Sequence, residues 1–253
     1  MQAYGRAFAR VYNMRWGSFA ERVAPPLLEL YLTTAAGQAK QPVLDVCCGT
    51  GQLALHFLER GFRVVGLDLS EEMLGYAREN TASYLSAGLA EFVQADASNF
   101  ALEGRQFGLA VSTYDALNHL PDMAALQGCF HSVYPVVVEG GMFVFDLNTR
   151  RGLLRWNNIN VDESDDVVII NRGVYDGQGD RAYMRISGFV READGRYERF
   201  EETVYNTVFD PEPVRASLLD AGWRGVYFAR FPDLKTPIEE PEQEGRVFVV
   251  ARR

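Results

Sequence analysis

With 253 residues, 47% of them hydrophobic, the chain can bury one sizeable core, and a single domain with an insertion fits better than two full domains. A formal net charge of -9 and a pI near 5.0 argue against a general electrostatic attraction to nucleic acid. No apolar run has the length of a membrane span, and the N-terminal stretch "MQAYGRAFARVY" lacks the apolar core of a signal peptide, so a soluble cytoplasmic protein is expected.

Phe8, Val11, Tyr12, Phe19, Val23, Leu27, Leu28 and Leu32 form a broken apolar stripe that predicts helix over 8–32, divided in two at Pro25-Pro26. "PVLDVCC" reads as a short buried strand, and "GQLALHFLERG" as a helix stopped by Gly61. "RVVGLDLS" is a second strand, and "SEEMLGYAREN" a helix capped by Ser70. "AEFVQAD" and "FGLAVSTYD" are the third and fourth strands, "MAALQGCFHSVYPVV" a helix and "GGMFVFDLN" the fifth strand. Alternation of this kind predicts a doubly wound α/β fold, whose mostly parallel sheet binds ligands beyond the carboxyl ends of its strands. Asp45, Asp68, Asp96, Asp115 and Asp146 all fall at or just past such ends.

After Asn148 the pattern changes to alternation with turn signals at Asp176-Gly177 and Asp194-Gly195, which predicts three or four antiparallel strands. "PEPVRASLLDAGW" then reads as helix, "GVYFARF" and "GRVFVVARR" as closing strands, and "PIEEPEQEG" as a solvated loop. The expected sheet has seven strands, with the antiparallel β insertion after the fifth. The expected division is an N-terminal helical cap (1–40), a core (41–148), the insertion (149–210) and the C-terminal part of the core sheet (211–253).

Cys47, Cys48 and Cys129 contain no CxxC pair, and His56, His119 and His131 are scattered, so no metal site is expected. Gly49 and Gly51 sit between a strand and a helix, where glycine lets the backbone approach a ligand. A dinucleotide fingerprint would need glycine at Cys47 and at Gln52, and Asp45 would place a negative charge near bound phosphates. A cationic, phosphate-free cofactor suits these residues better.

At this point the chain resembles the class I S-adenosylmethionine-dependent methyltransferases, which have a Rossmann-like fold. "DVCCGTG" matches their first motif, acidic-x-Gly-x-Gly-x-Gly, from Asp45 to Gly51 except at Cys47. "VVGLDLSEEML", "QADASNF" and "STYDALNHL" match the next three motifs in order. The resemblance implies S-adenosylmethionine as cofactor and S-adenosylhomocysteine as product. It implies that Asp45 attracts the ammonium end, Asp68 holds both ribose hydroxyls, Leu69 and Met73 flank the adenine, and Asp96 and the Ala97 N–H meet its amino edge. Cys47, Gly49, Gly51 and Thr113 would complete the cofactor contacts.

"YDALNHL" resembles small-molecule N-methyltransferases, especially those that methylate amino sugars or glycine-type amines. By that resemblance His119 serves as base, Tyr12 lies over cofactor and acceptor, and Tyr114 and Asn118 face the acceptor. The insertion would cover the acceptor pocket, offering Tyr175, Tyr183, Phe189, Tyr197, Phe200 and Tyr205, and a nucleotide-diphosphate or carboxylate acceptor could use one or two of Arg172, Arg181, Arg185, Arg191, Arg196 and Arg199. The expected partner is a small-molecule acceptor, with the chain a monomer or homodimer. An RNA or protein methyltransferase and a non-catalytic S-adenosylmethionine-binding module are the alternatives. The first lacks an Asn/Asp-Pro-Pro-aromatic motif after the fourth strand, and only Cys47 hints at the second.

Overall fold

"VLDV" forms strand β1 (Val43–Val46), buried at every position, as a central parallel strand with neighbours on both edges must be. This computed structural model describes residues 4–253; residues 1–3, where the expected cap begins, lie outside the described residues. Strands β2 (Val64–Asp68) and β3 (Ala90–Gln94) are laid down to one side of β1, and β4 (Phe107–Ser112) and β5 (Val137–Asn148) to the other, all parallel. Strand order therefore reverses between β1 and β4.

Three antiparallel strands extend the sheet beyond β5: β12 (Arg246–Arg252), β10 (Arg224–Arg230) and β11 (Asp233–Pro237), giving the order β11-β10-β12-β5-β4-β1-β2-β3. The sheet thus has eight strands rather than seven. The extra edge strand ends at Pro237, the first residue of the stretch read as loop; β11 is short and mostly exposed, so it carries little apolar pattern.

Helices α2 (Ser18–Tyr31), α3 (Ala35–Gln38), α4 (Gln52–Glu59), α5 (Glu71–Asn80) and α6 (Ala82–Ser86) precede β3, and α7 (Met123–Val133) and α9 (Pro211–Asp220) come later in the chain. Two buried clusters occupy opposite faces of the sheet, one carrying Leu27, Phe57 and Phe62 and the other Phe130, Phe143 and Trp223. The expected break at Pro25-Pro26 is absent. Both prolines lie within α2, and the chain breaks at Trp16-Gly17, after α1 (Arg6–Arg15). The N–H groups missing at the prolines would have reached the carbonyls of Glu21 and Arg22, both exposed residues whose carbonyls water can serve.

After β5, a short helix α8 (Arg150–Leu153) leads into a second, antiparallel sheet of β6 (Ile159–Glu163), β7 (Val167–Val174), β8 (Arg181–Arg191) and β9 (Tyr197–Thr207). Both turn signals are used: Gly177 and Gly195 adopt positive φ between successive strands. Val167, Ile169, Ile186, Val190, Phe200 and Val204 line one face of this sheet and pack on Phe8, Ala9 and Val11 of α1. That contact places α1 and the second sheet together over the carboxyl ends of the parallel strands.

Candidate active site

Where strand order reverses, a cavity of about 320 Å³ opens. Cys47 and Gly49 after β1, Asp68 to Ser70 after β2, and Thr113 to Ala116 with His119 after β4 form its floor. Tyr4, Phe8, Tyr12 and Trp16 form one wall, and Asn171, Met184, Ile186, Val204 and Tyr205 of the second sheet form the roof. Asn148, Trp156 and Arg246 complete it. Of the residues singled out from sequence, Tyr12, Cys47, Gly49, Asp68, Leu69, Met73, Thr113, Tyr114 and His119 meet here.

Asp68 is the best-defined polar group on the floor. One carboxylate oxygen accepts from the Gly49 N–H and the other from the Ser70 N–H, both at 2.9 Å. Each oxygen keeps a free lone pair, an arrangement suited to two adjacent hydroxyls. Burial pushes its pKa above the usual carboxylate range, against the pull of those N–H groups. Tyr12 lies over Gly49, whose added Cβ would stand 3.6 Å from the Tyr12 ring.

Cys47 occupies the expected glycine position with φ 60°, so the left-handed backbone persists without glycine, at a cost of roughly 1–2 kcal/mol. Burial pushes the thiols of Cys47, Cys48 and Cys129 up, which leaves them protonated and poor nucleophiles.

Several expected contacts lie elsewhere. Gly51 does not line the cavity; its φ is 78°, and a Cβ there would come within 3.0 Å of the Ala77 Cβ, so the glycine lets α4 approach α5. Asp96 turns its carboxylate onto the N–H and hydroxyl of Ser98, each at 2.8 Å, and Ala97 is buried. Asn118 does not face an acceptor. Its buried amide donates to the carbonyls of Asn148 and Thr207 and accepts from the Asn148 N–H, which staples the end of β5 to β9. Asp45 lies behind the loop, buried, with one oxygen accepting from the Ala54 N–H and Oδ2 unpartnered. Burial, and then the neighbouring Asp68, push its pKa up to about 8.

The turn after β4 is held by Asp146 and Arg246. Tyr114 and Asp115 both adopt left-handed φ, 67° and 49°. The Asp146 carboxylate accepts from both their N–H groups, at 2.6 and 3.0 Å. Arg246 donates to Asp146 and, at 2.6 Å, to Asp115. Its guanidinium also lies 5.1 Å from the Phe19 ring, which stacks on Tyr114 with centroids 4.4 Å apart.

His119 ends the 3₁₀ turn Ala116–His119 and hydrogen-bonds to the backbone of Tyr205. Burial lowers its pKa, opposed by Asp115, so the ring is neutral near pH 7. The Tyr4 ring meets it edge-on at 6.3 Å. Burial keeps the Tyr4 and Tyr12 hydroxyls protonated.

The insertion's aromatics divide between faces. Of the six, Tyr205 alone borders the cavity among the described residues, and its backbone bonds His119; its ring pairs with Tyr183 on the outer face, where Phe189 and Tyr197 also stand. Strand alternation puts Arg172, Arg181, Arg185, Arg191 and Arg199 on that outer face too, so they do not reach the cavity. Sequence reasoning missed Tyr4, Asn171 and Arg246 altogether. Arg246 is 131 residues from its partner Asp115, and no local pattern links them.

Residues 43–141 match the model of the methyltransferase domain family. Among curated relatives, a Bacillus subtilis protein named as a methyltransferase, YqeM, is 27% identical over 216 residues, covering 85% of each chain. The chain carries a methyltransferase domain and is an S-adenosylmethionine-dependent enzyme. Its fold is that of a solved S-adenosylmethionine-dependent methyltransferase from Clostridium acetobutylicum, with TM-score 0.78, 24% identity and 97% of each chain covered. The sugar N-methyltransferase KedS8 from a Streptoalloteichus species shares it, with TM-score 0.77, 23% identity, and 100% of this chain and 96% of that one covered.

The methyltransferase's own residues fit this cofactor. The Asp68 carboxylate on the cavity floor suits a ribose, and the orphaned Asp45 oxygen, outside the described lining, is a second acid behind the same loop. Arg246 is the sole lysine or arginine among the described lining residues, and two aspartates already engage it, so nothing there invites a phosphate. No helix among the described residues is long and apolar enough to cross a membrane.

Proposed function

We propose that the protein methylates an amine nitrogen of a small molecule. The supporting observation is one continuous cavity in which Asp68 and Gly49 stand at the cofactor end and a neutral His119 stands under the second sheet. Fold alone does not choose the acceptor, so the reading rests on the site.

In this reading Asp68 binds the ribose hydroxyls, Asp45 attracts the ammonium, and Cys47, Gly49, Leu69, Met73 and Thr113 contact the rest of the cofactor. Bound there, S-adenosylmethionine supplies an electrophilic methyl carbon on a sulfonium. Tyr12, lying over Gly49, holds donor and acceptor in line, and α1 with the second sheet excludes water. His119 takes the proton that an amine must shed, because its buried ring is neutral at working pH. Residues 149–210 form the acceptor-side cover, and the described residues 4–40 the cap over the cofactor.

The test is methyl transfer from isotopically labelled S-adenosylmethionine to matched pools of small amines and alcohols, read by mass spectrometry. Labelled amine products are expected. Labelled ethers alone would overturn the assignment to nitrogen.

A further inference from the structure

We infer that Asp115 is the acceptor-docking carboxylate: it holds the ammonium form of the acceptor beside His119, so the site selects cationic amines over neutral and anionic molecules. This deepens the proposed function and rests on it.

Asp115 lines the cavity although its side chain is only 12% exposed. Its Oδ1 lies 2.6 Å from Arg246, and its second oxygen accepts no hydrogen bond among the described residues. One partner leaves part of this carboxylate's hydrogen-bonding capacity unused. A ligand cation would complete it.

The backbone is arranged to present this group. Two successive non-glycine residues, Tyr114 and Asp115, hold left-handed φ, and Asp146 accepts from both N–H groups to keep them there. Such strain persists only where surrounding contacts fix it, and it clusters at ligand-binding sites.

Charge around the cavity points the same way. Asp68 and Asp115 line the cavity, and its one described guanidinium, that of Arg246, is shared between Asp115 and the buried Asp146. An anionic acceptor would find no unengaged cation among the described lining residues, since the second sheet's arginines face outward.

The proton has a path. His119 follows Asp115 in the same short turn and lies within its electrostatic reach. The docked ammonium gives one N–H proton to the unprotonated ring nitrogen of His119. The freed nitrogen lone pair forms the N–C bond to the methyl carbon as the C–S bond breaks and its electron pair stays on sulfur. The imidazolium left on His119 is stabilised by Asp115.

The test uses the full chain saturated with S-adenosylhomocysteine and two probes of equal shape, benzylammonium and benzyl alcohol. Binding is read by ligand-observed NMR, and cofactor affinities by calorimetry. Asp115→Asn is the variant, because asparagine tolerates left-handed φ and keeps an oxygen for Arg246. The wild type is expected to bind benzylammonium at least tenfold more tightly than benzyl alcohol. In D115N the ratio should approach one, while S-adenosylmethionine and S-adenosylhomocysteine affinities move less than threefold. No cation preference in the wild type would overturn the inference, whether or not the variant folds. So would a preference unchanged in D115N, or a variant that weakens S-adenosylmethionine alone, which would make Asp115 a partner of the sulfonium. Failure to bind S-adenosylhomocysteine at all would instead overturn the proposed function.

Discussion

The backbone N–H of Gly49 donates a 2.9 Å hydrogen bond to the carboxylate of Asp68, so the loop after β1 is tied to the end of β2 before any ligand arrives. Asp68→Ala removes that tie and both proposed ribose contacts. Hydrogen bonds to a charged group contribute about 1.5–3 kcal/mol each, so the Kd for S-adenosylhomocysteine should rise about 100-fold or more. Calorimetry on the variant checks this. An unchanged Kd would show that the ribose binds elsewhere.

Asp45 couples cofactor binding to pH. Its folded-state pKa, pushed up to about 8 from 3.8, lies above that of the unfolded chain. The folded protein therefore holds the proton more tightly, and stability of the ligand-free protein should fall as pH rises from about 4 to about 8. Asp45→Asn should flatten that slope and stabilise the free protein above pH 8. A cofactor ammonium favours the ionised carboxylate, so S-adenosylmethionine should bind more tightly as pH rises toward 8, and less steeply so in the variant. Denaturant titrations and calorimetry across pH measure both. A pH-independent wild type would remove Asp45 from the cofactor's surroundings.

Gly51 bears on stability. With φ at 78° and Ala77 within 3.0 Å of a notional Cβ, Gly51→Ala combines backbone strain with a helix–helix clash. The expected loss is about 2–3 kcal/mol in urea unfolding. A loss below ~0.5 kcal/mol would mean that α4 and α5 separate freely.

What the sequence revealed and what it hid divide along physical lines. The parallel core was legible because its strands are short apolar runs between glycines, caps and turns, and because "DVCCGTG" joins a strand to a helix. Asp68 and His119 were legible because they sit at fixed offsets within such motifs. Asn118 misled: it lies in the same motif as His119, but its amide meets Asn148 and Thr207, and a contact with Thr207, 89 residues on, leaves no local trace. Arg246 was hidden for the same reason. The outward aim of the insertion's arginines follows only from strand register, which turn positions alone do not fix. Pro25 and Pro26 misled because an exposed helix face can forgo two N–H donors to water.

His119 separates chemistry from binding. Its pKa is lowered from 6.5 by burial, and a base acts only when unprotonated, so kcat/KM should fall on an acid limb below pH 6.5 and level off above it. His119→Ala should abolish that limb and lower kcat by about 10²–10⁴-fold, the range for loss of a general base. The same ring touches the backbone of Tyr205, so a purely structural role has to be distinguished. S-adenosylhomocysteine affinity makes the distinction, since a collapsed cavity would weaken cofactor and acceptor together, whereas loss of a base should leave the Kd within about threefold. A variant that retains the acid limb would assign the proton to another group.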